Sequence, residues 1–264
     1  NNSTDDSLGF IKKKFPWVKI IVSKQNLGFA GGNNLGIKQA IEDGFEFLLL
    51  LNPDTIVDKS CLANLLQKAD QATILQPLIL LHQNSAKTDL VNTTGNHLNF
   101  LGFSYCSDFK VNMDQVKEKP ITSASGAGLF IPAKVLKKIG FFDRDFFMYH
   151  EDLDLCWRAR KAGYEIKIIP EAKLWHKYSF SRNKKKMYYA ERNRLLFLLK
   201  NFSLKYLILI FPIFLLNELL MLIYSVISLW LFEKIKANLS ALIMLPSILK
   251  KRSKIKKICR VKEE

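Results

Sequence analysis

From Tyr206 to Phe232 the chain runs for 27 residues with a single charge, Glu218. This run constrains the fold more than any other feature, because so apolar a stretch must be buried in protein or met by lipid. About 20 apolar residues cross a bilayer, so the run qualifies on length. Pro212 and the Asn217–Glu218 pair divide it into halves too short to cross separately, and a second apolar piece, LSALIMLPSIL (239–249), is also short. Basic clusters flank the region, RNKKK at 182–186 and KKRSKIKKICR at 250–260. A single crossing would put one of them on the wrong side of the membrane. A helical hairpin or in-plane helices on the cytoplasmic leaflet suit the charges better. A single span and a buried helix pair of a soluble domain are the competing arrangements.

The 264 residues carry 40 basic and 24 acidic side chains, a net charge of +16, and are 48% hydrophobic. This is a globular composition, enough for one large domain or two small ones. Basic clusters attract nucleic acid or anionic lipid, and their position beside apolar helices favours lipid. Membrane lipid is therefore an expected partner and nucleic acid is not. Cys61, Cys106, Cys156 and Cys259 form no C-x-x-C pair and no zinc spacing, which suits a reduced, cytoplasmic setting.

VKIIVS (18–23) reads as a strand and NLGFAGGNNLG (26–36) as a glycine-rich turn. IKQAIEDG (37–44) reads as a helix and FEFLLLL (45–51) as a second strand. That succession is a βαβ unit, which predicts a parallel sheet with a right-handed crossover. Residues 59–69 suggest a helix, and 72–125 are irregular, with short strands and loops. GLFIPAKVLKKIGFFD (128–143) reads as a strand into a short helix. EDLDLCWRARKAG (151–163) is a helix with acids first, bases last and Gly163 as its cap. YEIKIIPEAKLWH (164–176) is strand-like but interrupted by Pro170, and MYYAERNRLLFLLKNF (187–202) is an amphipathic helix.

Four features could carry chemistry. Gly28, Gly31, Gly32 and Gly36 allow close backbone approach to a phosphate, and the next helix offers its amide end to an anion. The segment lacks G-x-G-x-x-G and G-K-[ST], so a plain turn is an equal reading. Asp54 follows an apolar strand in LLLLNPDTIV (48–57), as a turn former or as a ligand at a strand's carboxyl end. Glu151, Asp152 and Asp154 crowd one helix start, where they complement the dipole or where one of them serves as a general base. His176 follows the next strand, and an imidazole converging with a carboxylate suits a divalent cation; His150 is a rival ligand.

The order NLGFAGGNNLG, LLLLNPDTIVD, SGAGLFIP, GFFDRDFFMYHEDLDLCWRARKAGY and WHKYSFS resembles family 2 glycosyltransferases of the GT-A fold. The likeness is to the rhamnosyltransferase-like members that build bacterial surface polysaccharides, and it covers roughly residues 1–200. It implies an α/β, Rossmann-like mixed sheet flanked by helices over 1–200, followed by a membrane-associated helical segment and basic tail over 201–264. The opening NNSTD resembles the end of the family's DNNSTD segment, so the family's first strand is expected upstream of Asn1.

The resemblance matches Asn52-Pro53-Asp54 to the family's D-x-D motif, with Asn52 in place of its first acid. Asp54 and His176 would then hold Mg²⁺ or Mn²⁺ against a donor diphosphate, and Asp152 would be the catalytic base. Asn26, Gly28, Gly31, Gly32, Asn34, Asn52 and Asp54 would face the donor, and Gly126 and Glu151 the acceptor and sugar. The implied activity is inverting transfer of a sugar, rhamnose or another hexose, from a nucleoside diphosphate-sugar. The acceptor would be lipid-linked or a glycan, at the cytoplasmic membrane face, in cell-wall or surface polysaccharide synthesis. A processive synthase would carry Q-x-x-R-W, which is absent. An inactive membrane-binding scaffold on the same fold is the alternative from another class.

Overall fold

The structure is a computed structural model describing residues 1–177 and 183–260. The last residues of WHKYSFS (178–181) and the first of RNKKK (182) lie outside the described residues. In chain order the elements are α1 (Ser7–Lys14), α2 (Gly28–Glu42), β1 (Phe47–Leu51), β2 (Thr55–Val57), α3 (Cys61–Gln67), β3 (Thr73–Gln83) and β4 (Ala86–Thr93). There follow β5 (Asn96–Leu98), β6 (Ser104–Cys106), β7 (Lys119–Pro120), β8 (Gly128–Pro132), α4 (Ala133–Ile139), α5 (Glu151–Lys161) and β9 (Glu165–His176). The C-terminal helices are α6 (Lys184–Asn201), α7 (Leu204–Ile227), α8 (Leu231–Ile243) and α9 (Leu245–Ile258).

The main sheet runs β1-β8-β3-β9-β2, with β4 beside β3 and β7 beside β9. It is mixed: β3 and β9 are parallel, whereas β8 is antiparallel to both β1 and β3. Alternating side chains divide between the faces. Leu48, Ile74, Leu129, Ile131 and Ile166 pack against α2, α4 and α5. Phe47, Leu49, Leu75, Phe130 and Ile169 pack against α3. This mixed sheet covered by helices is the GT-A-like layered fold.

Several expectations change. Residues 18–23 form no strand, and α2 begins at Gly28, so the glycine segment is mostly helix rather than turn. A strand needs a ladder neighbour. Here a cleft of about 640 Å³, lined by Lys19, Ile21, Ser23, Leu48 and Leu50, separates the segment from β1. The βαβ unit with a parallel partner is therefore not what β1 enters; its described partner is antiparallel β8. The supposedly irregular stretch contains β3, buried along most of its length. Pro77 and Gln76 hide it in the sequence. The ladder accommodates Pro77 at an irregularity, where Pro77 pairs with Ile169 but Leu78 pairs with Lys173. The residues bulged out there include Pro170, so β9 continues through its proline.

The C-terminal helices form a second core with α5, built on Phe146, Leu153, Leu195–Leu198, Phe202, Ala241 and Ile248. α6 is not amphipathic: Glu191 through Leu198 are all buried, polar residues included. Pro212 does not break α7, which runs unbroken through it. Pro246 instead opens α9, at a position where its missing N–H costs no helical bond. α7 exposes most of its surface, Ile208, Leu209 and Ile227 among it, and buries only Ile210 and Ser225. Among the described residues it is the one helix long and apolar enough to cross a membrane. Glu218 does not face outward with those residues. It meets Arg194 of α6, and Lys234 of α8 at 2.7 Å.

Candidate active site

Strand register assembles the site. β1 ends opposite Gly128, so the Asn52 amide reaches the Ala127 carbonyl at 3.3 Å. Thr55 N and Oγ1 both donate to the Asn52 carbonyl, folding Asn52–Thr55 into a tight turn that carries the chain from β1 to β2. Thr55 then pairs with His176, the last residue of β9. Asp54, one residue earlier, is thereby set beside that imidazole, with Oδ1 3.3 Å from Nε2. LLLLNPDTIV thus contains both a turn and a carboxylate delivered to a histidine.

Asn92 of β4 fixes the ring from the other side, its Oδ1 3.0 Å from His176 Nδ1. With Asn92 Oδ1 accepting, Nδ1 carries the proton and the Nε2 lone pair faces Asp54 Oδ1. Burial lowers the His176 pKa, against the opposing pull of Asp54, and so favours this neutral form. Two acceptors then converge on one point, an arrangement that a cation relieves. A carboxylate oxygen and an imidazole nitrogen suit Mn²⁺ or Mg²⁺, with the oxygen preferred by the harder ion. Among the described residues no group of three or more His, Cys, Asp or Glu side chains gathers as a metal site. Asp54 and His176 are the two side chains that fit a cation here.

Two residues before Gly128, Gly126 donates its amide to Asp152 Oδ2 at 2.9 Å. Leu153 N donates to Asp152 Oδ1 at 2.7 Å, from the first turn of α5. A Cβ on Gly126 would lie 2.7 Å from the Phe29 ring, so only glycine lets this amide approach the carboxylate while α2 packs behind it. The same short stretch, 126–128, thus touches the Asn52 turn through Ala127 and Asp152 through Gly126. Both groups sit at one end of β8.

The three acids of α5 are not equivalent. Asp154 is fully buried, bonded to Arg158 Nε at 2.9 Å, Lys200 Nζ at 2.8 Å and Asn201 Nδ2 at 3.0 Å. Lys200 and Arg158 hold it ionised despite its burial, and its role is structural. Asp152 is pushed up by burial, opposed by the amides of Gly126 and Leu153. Glu151 is pushed well above the ordinary carboxylate range by burial and then by Asp152, and its Oε2 has no hydrogen-bond partner. Two amide N–H groups meet the Asp152 carboxylate and none meets Glu151 Oε2, so of the two acids Asp152 has the surroundings that favour a carboxylate.

Other expected residues fare differently. Gly32 and Asn52 line the cleft beside β1, and so does Gly28. Gly28 has φ +68, and a Cβ there would lie 2.4 Å from the Phe147 carbonyl, so its glycine is required by that contact. The α2 amide end is not an open anion cradle: Gly28 N is taken by Asn26 Oδ1 and Ala30 N by the Phe147 carbonyl. Gly31 lies against Leu27. Asn34 is buried, with Nδ2 donating to Phe142 O and Oδ1 accepting from Phe142 N, so its amide clips α2 to the loop after α4 and presents nothing to a donor. His150, the rival to His176, is engaged elsewhere; its Nε2 is 3.2 Å from the Gly102 carbonyl, and burial lowers its pKa to about 4. Sequence reasoning missed Asn92, for which VNTTG offers no signal. It also missed Arg192 and Asn193, whose side chains hold the loop before Glu151. The run of polar residues ERNR inside an apolar helix was their visible trace.

The mixed sheet flanked by helices is that of the GT-A-like glycosyltransferase fold. The chain belongs to the glycosyl transferase family group 2, which it matches over residues 47–249. It is 28% identical over 152 residues to the low-salt glycan biosynthesis hexosyltransferase Agl10 of Haloferax volcanii, covering 56% of this chain and 48% of that one. It is 26% identical over 196 residues to the N-acetylglucosaminyl-diphospho-decaprenol L-rhamnosyltransferase of Mycobacterium tuberculosis, covering 67% and 64%. With the dTDP-rhamnosyl transferase RfbF of Shigella flexneri it shares 25% over 214 residues, covering 76% and 68%. The chain thus spans about half to two thirds of the length of the first of these relatives. The crystal structure of GalNAc-T7 with UDP, GalNAc and Mn²⁺ superposes with a TM-score of 0.55 at 14% identity, covering 73% of this chain and 42% of that one. At that identity the likeness concerns the fold.

Proposed function

We propose that this chain is an inverting, metal-dependent glycosyltransferase of surface-polysaccharide synthesis. Its donor is a nucleoside diphosphate-sugar, with rhamnose as the first sugar to test, and its acceptor is lipid-linked or a glycan. The observation that carries the reading is the convergence at one end of β8. Ala127 binds the turn bearing Asp54, and Gly126 binds Asp152. A diphosphate held at Asp54 and His176 would leave its sugar toward Asp152. The names of the relatives, two of them rhamnosyltransferases, support the sugar class.

In this mechanism Asp152, its carboxylate met by the Gly126 and Leu153 amides, accepts the proton of the acceptor hydroxyl as that oxygen attacks the anomeric carbon. The Gly126 amide orients the carboxylate. Asp54 and His176 would hold Mg²⁺ or Mn²⁺, which when bound neutralises charge on the departing diphosphate. Gly28, Gly32 and Asn52 would line the donor side of the cleft, and Glu151 would give a hydrogen bond to a hydroxyl of sugar or acceptor. Residues 1–200 form the catalytic domain on this reading, and 201–264 the membrane-associated segment.

The attachment we favour is monotopic, on the cytoplasmic leaflet. α7 presents its apolar surface outward while Glu218 ties it to α6 and α8, so the helix stays against the body of the protein. The basic tail is only partly available to lipid. Lys251 is turned inward to Asp143 and Asp145, and Arg252 Nη1 donates to the Leu199 carbonyl. The test is a panel of nucleoside diphosphate-sugars with Mn²⁺ or Mg²⁺ and a polyprenyl diphosphate-sugar acceptor, with the anomeric configuration of the product read by NMR. Transfer with inversion is expected. Donor binding without transfer to any acceptor would favour the inactive scaffold.

A further inference from the structure

The loop that delivers Asp152 holds an unfavourable backbone. Phe147, Tyr149 and His150 all have φ between 62 and 67°, the left-handed region, and none is glycine. Such residues persist only where surrounding contacts over-determine them. His150 immediately precedes α5, so the strained segment ends two residues before Asp152.

The contacts come from α6. Asn193 is fully buried, and its Nδ2 donates to the carbonyls of Phe146 at 2.7 Å, Met148 at 2.8 Å and Tyr149 at 2.7 Å. An amide has two such hydrogens, so three acceptors are gathered around one nitrogen, which turns the loop inward. Arg192 holds the other end of that amide, donating from Nε at 2.9 Å and Nη2 at 2.8 Å to Asn193 Oδ1. Its Nη2 also reaches the Asp145 carbonyl at 2.7 Å and the Phe146 carbonyl at 3.0 Å. The clamped loop then leaves the Phe147 carbonyl free of α6 to accept from Ala30 at the start of α2. One side chain therefore sets the path of the loop between the cleft-lining helix and the helix that begins with Glu151 and Asp152.

We propose that Asn193, oriented by Arg192, is a positioning residue for the Asp152 carboxylate. This rests on Asp152 being the base. The two flanking residues of the run, Glu191 and Arg194, face the other way. Arg194 Nη2 bonds Glu191 at 2.6 Å and also Glu218, while Lys234 bonds Glu191 and Glu218. The clamp is thus mounted on a helix that is itself tied to α7 and α8 by these ion pairs.

The experiment compares the intact protein with Asn193→Leu, which keeps the approximate volume but removes the donors, and with Arg192→Gln, which keeps Asn193 but frees its oxygen. A misplaced base lowers kcat while leaving donor binding alone, so Asn193→Leu should lose on the order of 10²-fold in kcat at a nearly unchanged donor KM. Arg192→Gln should lose less, again in kcat. Amide hydrogen exchange should accelerate over 145–150 and stay unchanged in β3. A wild-type kcat in Asn193→Leu would overturn the proposal, and so would kcat and KM failing together while β3 protection is kept. If Asn193→Leu does not fold, Arg192→Gln decides by the same split, and unchanged kcat there overturns the proposal. Asp152→Asn separates the two levels of argument. If that variant turns over normally, the base assignment is wrong. If it is inactive while Asn193→Leu is active, only the positioning role is wrong.

Discussion

His176 Nε2 lies 3.3 Å from Asp54 Oδ1, although one residue closes the turn after β1 and the other ends β9. The β2–β9 ladder brings them together, and Asn92 fixes which nitrogen faces the carboxylate. The physical consequences of that pair and of its neighbours can be measured.

The Asp54–His176 pair should bind a divalent cation. Asp54→Ala and His176→Ala should each raise the Mn²⁺ concentration needed for half-maximal transfer, and excess chelator should abolish it. A readout independent of activity is ¹⁵N NMR of the imidazole. The Nδ1–H form is expected, and Mn²⁺ should broaden the Nε2 signal first. An Nε2–H tautomer unaffected by metal would return His176 to a structural role.

Asp152→Asn should abolish transfer while leaving donor affinity nearly unchanged. The amide keeps the shape but accepts no proton, so a loss on the order of 10²-fold or more in kcat is expected. Burial raises the Asp152 pKa, and the base works only when ionised. The acid limb of the pH–rate profile should therefore fall at a pH above about 3.9, the ordinary aspartate value, rather than below it. Near-normal turnover in the variant would shift the role elsewhere.

Glu151→Gln should stabilise the fold at neutral pH. Burial raises the folded-state pKa of Glu151, so the acid favours folding while protonated, and that stability is lost as pH rises through the folded value. Removing the titration should raise Tm at pH 7 to 8, with the difference vanishing below about pH 4, where the unfolded group is protonated too. A gain that persists at low pH would mean that packing, not charge, is responsible.

Glu218 should be needed to seat α7. Arg194 and Lys234 are almost fully buried, and truncating one partner of a buried charge cluster leaves the others uncompensated. Glu218→Ala should cost roughly 3 kcal/mol in unfolding free energy. If α7 instead crossed the bilayer alone, the same change would make insertion easier and leave the catalytic domain's stability intact. Topology has its own readout in the exposed Cys259 at the end of α9. An impermeant thiol reagent should not label it from outside sealed cells, and high salt alone should not strip the protein from membranes.

Some of this was legible along the chain. EDLDLCWRARKAG announces α5 because dipole-complementary charges and a capping glycine act within a few residues, and α5 with Gly163 at φ +88 follows that reading. FLLLL and GLFIP announce β1 and β8 through unbroken apolar composition. The order of short motifs around them identified the family. Other features were set by contacts that local sequence does not encode. Residues 18–23 have strand composition, yet they form no strand because a ladder requires a neighbour. The glycines of α2 resemble a phosphate loop, but Gly28 is there for the Phe147 carbonyl; outside that helix, Gly126 is there for the Phe29 ring. Pro212 resembles a break, but one lost backbone bond does not end a helix held by its neighbours. The resemblance already named Asp54, His176 and Asp152, but the 3.3 Å approach of Asp54 to His176, the enclosure of Asp154 by Arg158 and Lys200, and the grip of Asn193 depend on strand register and burial. Those are properties of segments far apart in the chain, so only the tertiary structure decided them.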